Sequence, residues 1–267
     1  NFATMFTIQA AVTIVTAGLA SQLFGITNNL VLWSSILMLV SILFLLIGRY
    51  KLLDNLMKYI IIILTISTIA AVSVALFSSK EAFDVSQILP SGTVEITFLI
   101  AFLGWMPAPL DVSIWHSIWS VEKSKNTFIK IKPKDAIFDF NVGYIGTLLL
   151  GICFVLLGTL VMYKSGATFS NKGGEFASQL ITLYTKNLGD FSYIIIAIAA
   201  FTTMFSTTIT TLDASPRAMN LSSQLLFDKK FKFGYWFWII FLFVGTFVIL
   251  KYYMADMGDF IKIATIL

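Results

Sequence analysis

Apolar residues occur along this chain in long blocks rather than in the narrow stripes of a water-facing helix. The blocks cover residues 2–24, 30–47, 59–77, 94–119, 136–162, 191–212 and 235–253, and another begins at 260. A helix crosses a bilayer core with about 20 mostly apolar residues. Seven spans are therefore expected, with the start of an eighth at residues 260–267. Open strands are excluded, because lipid leaves backbone polar groups unpaired outside helices and closed barrels. The expected fold class is an all-α integral membrane protein, with residues 1–267 forming a single polytopic membrane domain.

The polar positions between the blocks orient the spans. Of the 18 Lys and Arg, twelve fall in three alternate connections: Arg49, Lys51 and Lys58; then Lys123, Lys125, Lys130, Lys132 and Lys134; then Arg217, Lys229, Lys230 and Lys232. The excess of positive charge marks these connections as cytoplasmic. Aromatic runs such as Tyr235-Trp236-Phe237-Trp238 stand at block ends, where ring side chains anchor helices at the membrane interface.

Composition narrows the function classes. The chain is 58% hydrophobic and 12% charged, with a mean hydropathy of +0.88. A soluble domain carries about 25% charged residues, so a water-soluble globule is excluded. The net charge of +4 follows from membrane topology and gives no sign of a nucleic-acid partner. The single cysteine, Cys153, rules out an internal disulfide or a cysteine-metal framework. One histidine, one cysteine, and neither a nucleophile elbow nor a phosphate loop point away from an enzyme and from a bound cofactor. The chain opens on Asn1 without a signal-peptide pattern, so it is expected to begin partway through a longer protein. Its expected location is the bacterial inner membrane, in multi-pass form.

The fourth block carries the main chemical signal, Gly104-Trp105-Met106-Pro107-Ala108-Pro109-Leu110-Asp111. Each proline removes a backbone donor and clashes with the preceding turn, and residues before proline leave the α region. A helix ending near Leu103 and restarting near Leu110 is expected. Broken helices at membrane depth are a device of secondary transporters, where freed carbonyls coordinate cations. A purely structural proline kink is the alternative. Behind the break lie Asp111, Ser113, His116 and Ser117. Acids and histidines are costly in a bilayer and commonly line a pathway or proton relay, and histidine titrates near physiological pH. Asp111 and His116 are about 140° apart round a helix and do not share a face. His116 holding a buried interhelical hydrogen bond is its alternative role.

Further polar candidates follow. The sixth block holds a hydroxyl cluster that includes Thr207, then Asp213, with Pro216 and Arg217 marking the expected end of the helix. Asp213 is a pathway candidate or a helix-end partner of Arg217. Glu95, at the outer start of the broken helix, is a vestibule acid or a solvated helix start. The first block offers Thr13, Thr16, Gly18 and Gln22.

These motifs together resemble the Nramp (natural resistance-associated macrophage protein) divalent-metal transporters. Val15-Thr16-Ala17-Gly18-Leu19-Ala20 is similar to the third-helix pattern V-T-G-x-D-L-A. Met106-Pro107, followed by His116-Ser117, is similar to the sixth-helix M-P-H-N-x-x-x-H-S. Ser206-Thr207-Thr208-Ile209-Thr210 resembles S-S-T-I-T-G of the eighth helix, and residues 259–265 resemble the start of the tenth. The resemblance implies a LeuT-like fold of two inverted five-helix repeats and proton-linked uptake of Mn²⁺ or Fe²⁺. It implies that the first two family helices, with their D-P-G-N motif, lie outside this chain. The implied metal-binding residues are Trp105, Met106, Ala108 and Asp111, with His116, Asp213, Thr207 and Glu95 as pathway or proton-relay candidates. A methionine sulfur helps select transition metals over Mg²⁺ and Ca²⁺.

Two alignments of the break are open. With Met106-Pro107 in the M-P place, Ala108 and Pro109 replace His and Asn. With Ala108-Pro109 there, Asp111 takes the Asn place and the thioether is lost, which favours a harder ion such as Mg²⁺. The acid of the third-helix motif is absent, and Phe205 stands where the eighth helix has Gln, so proton coupling is less firmly implied than metal transport. An amino-acid or organic-solute permease on the same fold, and a non-transporting membrane scaffold, are the competing readings.

Overall fold

The structure is a computed structural model. It describes residues 2–47, 50–78, 91–105, 111–127, 132–162, 170, 172–189, 193–229 and 231–252. These residues form helices α1 (Phe2–Phe24), α2 (Leu30–Ile47), α3 (Tyr50–Ser78), α4 (Thr93–Trp105), α5 (Asp111–Thr127), α6 (Pro133–Leu157), α7 (Gly173–Leu188), α8 (Tyr193–Phe227) and α9 (Gly234–Tyr252). A π-helical turn, Gly158–Met162, extends α6. No strand occurs among the described residues. Five segments are long and apolar enough to cross a membrane: Thr4–Phe24, Leu30–Ile47, Pro133–Leu160, Tyr193–Phe227 and Gly234–Tyr252. Shorter apolar stretches, Ile61–Phe77 and Glu95–Gly104, cover the third block and the first half of the fourth. The architecture is all-α and suits a multi-pass membrane protein. The expected block at 260–267 lies outside the described residues.

α1 is the central helix. It packs on α2, α7, α8 and α9 and buries Ala10, Ala11, Ala17 and Ala20 almost completely. Small residues let helix backbones approach closely where no hydrophobic drive separates helix from lipid. Gly18 is the extreme case, since a Cβ there would stand 2.4 Å from the Gly173 carbonyl oxygen at the start of α7. That contact accounts for the glycine in the V-T-A-G pattern. The chain leaves α1 through Gly25, at a φ of +64°.

Besides α3, which starts at Tyr50 rather than at 59, and α5, which runs to Thr127 rather than to 119, two features differ from the sequence expectation. The stretch between α6 and α8 contains α7, too short and too polar to register as an apolar block. It is amphipathic: Ala177, Ile181, Leu183 and Tyr184 are buried against the core. Ser170 donates to Glu175 (2.7 Å), and Lys172 sits 3.4 Å from the same carboxylate. Those two partners, the serine first, hold Glu175 below the usual carboxylate range.

The second difference concerns α8, which does not stop at Pro216 but runs through it to Phe227. A proline inside a helix forfeits one backbone bond and is tolerated in membranes where neighbouring groups support the turn. Here the side chains of Asp213 and Arg217 join across the proline. Arg217 accordingly belongs to the helix rather than to the loop.

Candidate functional site

α4 is described to Trp105 and α5 from Asp111, and the expected break between them lies outside the described residues. Met106 and Ala108 lie outside the described residues, as do both prolines of the break. α5 presents one face to α1 and α8. Asp111, Trp115, Trp119 and Glu122 follow one another at four-, four- and three-residue steps, which is one side of a helix. Asp111 accepts a hydrogen bond from the Thr4 hydroxyl of α1 at 3.3 Å. Trp115 is 5% exposed and lies in a cluster with Ile8, Val12 and Ala214. Its indole N–H finds no acceptor among the described residues.

Lower on that face is the densest polar contact among the described residues. Asp213 is 4% exposed. It accepts from Arg217 Nε at 2.9 and 2.8 Å, from the Trp119 indole at 2.9 Å and from the Tyr235 hydroxyl at 2.5 Å. Arg217 also lies 3.9 Å from Glu122 and stacks over the Tyr235 ring at 4.7 Å. A buried carboxylate is tolerable only with such a partner set. One acid thus ties α5, α8 and α9 together. The pairing with Arg217 is the one named as an alternative for Asp213, but it lies inside α8 rather than at a helix end. Trp119 and Tyr235 complete it, although the sequence marks Tyr235 only as an interface anchor. The signal for Trp119 and Glu122 was the four-residue stepping from Asp111.

A second buried polar group forms a seam between α1 and α8. The Thr16 and Thr208 hydroxyls meet at 2.8 Å. Gln9 donates to Thr13 (3.2 Å) and to the Thr208 carbonyl (3.3 Å), and accepts from Thr211 (2.6 Å). Gln9 escapes a reading based on acids and bases. Its spacing with Thr13 and Thr16, four and then three residues, is the available clue.

The remaining candidates are placed apart. His116 faces α6, 3.9 Å from Asp139 and edge-on to Phe140 at 5.6 Å. Asp111, in contrast, faces α1, as the angular separation of the two residues requires. Thr207 donates back to the Thr203 carbonyl at 3.0 Å within its own helix. Glu95 is exposed and accepts from the backbone N–H groups of Ser91 and Gly92, both at 3.2 Å. That is the capping-box role of an acid in the first turn. No group of three or more His, Cys, Asp or Glu residues able to hold a metal occurs among the described residues.

The geometry defines a class, an all-helical chain whose described residues include a polar seam between α1 and α8 and a buried Asp213 that joins α5, α8 and α9. No family model matches the chain, and no solved structure does. An uncharacterized protein of Pasteurella multocida (strain Pm70) is 37% identical over 233 residues, 86% of this chain and 53% of that protein. The chain therefore spans about half the length of that relative.

Proposed function

We propose that the chain is the core of a secondary transporter for a divalent metal cation, a divergent relative of the Nramp transporters with protons as the coupled ion. The observation that carries this reading is Asp111, an acid in the first turn of α5 that is held against α1 by Thr4 and directly follows the sequence Met106-Pro107-Ala108-Pro109-Leu110. A bare helix start attracts anions. A carboxylate there reverses that preference and favours a cation, with freed carbonyls of the break as further ligands. The sulfur of Met106 would direct the choice toward Mn²⁺ and Fe²⁺. The LeuT-like arrangement is part of the same proposal.

Uptake by the full-length protein in proteoliposomes is the test. Mn²⁺ or Fe²⁺ should enter down an imposed gradient, and Asp111→Ala and Met106→Ala should each lower uptake about ten-fold or more. No metal flux, or silence of both variants, overturns the proposal. Mg²⁺ flux indifferent to Met106→Ala would assign the protein to a harder cation.

One observation favours a second reading, an organic-solute permease. The unpartnered Trp115 N–H and the neutral Gln9–Thr211 seam suit a substrate that carries oxygen acceptors. Uptake of an amino acid, unaffected by Asp111→Ala, would establish it.

A further inference from the structure

The α8–α9 connection carries a feature that ion transport does not use. At the end of α8 and the start of α9 an open cavity of about 520 Å³ is lined by Phe227, Phe231, Phe233, Phe237 and Trp238, with Lys232 at its edge. The four phenylalanines are between 42% and 68% exposed. The volume falls among those of small-molecule pockets, about 300–1,000 Å³.

The charges beside it select the occupant. Lys229, Lys230 and Lys232 stand in the connection against the single acid Asp228. The Lys232 ammonium lies 5.7 Å above the Phe233 ring, and an ammonium held over a ring still has N–H donors to offer. This is also one of the three lysine-rich connections that the charge distribution places on the cytoplasmic side. Basic pockets at helix ends on that side take anionic lipid head groups.

We infer that this trough binds one anionic glycerophospholipid, an acyl chain lying among the phenylalanines and the phosphate meeting Lys232, with Lys229, three residues earlier in the connection, adding positive charge. The inference rests on the chain spanning a bilayer, and is independent of what it transports. The lipid acts as a fitted wedge between the ends of α8 and α9, next to the helix that carries Asp213.

Native mass spectrometry of the full-length protein, released from mixed micelles with equal phosphatidylglycerol and phosphatidylcholine, tests it. Phosphatidylglycerol should be retained preferentially, by about five-fold for each lysine engaged. Lys229→Gln with Lys232→Gln should bring the two lipids to parity. The control pair Lys132→Gln with Lys134→Gln, at the start of α6, should keep the preference. Parity in the unaltered protein overturns the inference, as does equal loss in the control pair. Displacement of the lipid by millimolar inorganic phosphate overturns it too, since the site would then be for phosphate alone. A protein that fails to enter micelles or bilayers at all would instead overturn the membrane reading, a result distinct from parity.

Discussion

Asp213 shows how much one side chain carries in this molecule. It is nearly buried and holds donors from Arg217, Trp119 and Tyr235 on three helices. Replacing it with Asn leaves the guanidinium with only the more distant Glu122, at 3.9 Å, as counter-charge. The loss should be about 3 kcal/mol, the lower end for a broken buried pair, because Arg217 remains 30% exposed. Thermal unfolding in detergent measures it. A double-mutant cycle of Asp213→Asn with Tyr235→Phe should return a coupling of about 1 kcal/mol or more. Glycines give a sharper contrast. Gly18→Ala drives a methyl to within 2.4 Å of the Gly173 carbonyl oxygen, whereas a Cβ at Gly143 meets nothing within 4 Å. The first should cost about 1–3 kcal/mol, and the second should be neutral or stabilising by up to about 1 kcal/mol. Equal unfolding temperatures for the two variants would contradict the packing described for α1 and α7. At this scale the sequence marked Asp213 and Gly18 but not their roles, because a role depends on partners distant along the chain. Gln9 and Thr211 are 202 positions apart.

At the scale of the helix, α7 is where the apolar-block reading falls short. Its 16 residues bury one face and wet the other, so block counting sees only a polar connection. Tyr184 fastens it, with its hydroxyl 2.9 Å from that of Thr68 on α3 and its ring edge-on to Phe154. Burial is the main cause that pushes the Tyr184 phenol up to about 12. The folded protein thus holds this proton more tightly than the unfolded chain does, so the stabilisation is complete below pH 10 and is lost as pH rises toward 12. Thermal unfolding in detergent should show stability falling across that window. In Tyr184→Phe the fall should be smaller, and neutral-pH stability should drop by about 1 kcal/mol from the lost bond. An unchanged alkaline response in the variant would remove Tyr184 as its cause. α8 failed the sequence reading for the opposite reason. Pro216 is a sound stop signal in water, but inside a packed bundle the neighbouring side chains support the turn.

For the whole molecule, the positions of α1, α2, α3, α6, α8 and α9 follow from block length and hydropathy. The arrangement of the helices was less legible. That α1 sits at the centre is encoded in its alanines and glycine rather than in its hydropathy, which is below that of the more lipid-exposed α2. The angular separation of Asp111 and His116 was legible, and they diverge toward α1 and α6, whereas most of the candidate site at residues 104–111 lies outside the described residues. A single disruption should travel across the bundle. Asp213→Asn should loosen α5, α8 and α9 together in hydrogen exchange while leaving the Thr68–Tyr184 contact protected. Loosening confined to α8 would show that the carboxylate holds no other helix.

A backbone hydrogen bond is insulated from solutes, but the turn of α8 around Pro216 is bridged by an ion pair. The stiffness of that joint therefore answers to chemistry that an ordinary helix ignores. A cation that draws on Asp213, an anion that draws on Arg217, or a shift of Trp119 would each soften it. A 35-residue rod becomes two levers joined by an adjustable pin, and the second lever ends at the aromatic trough.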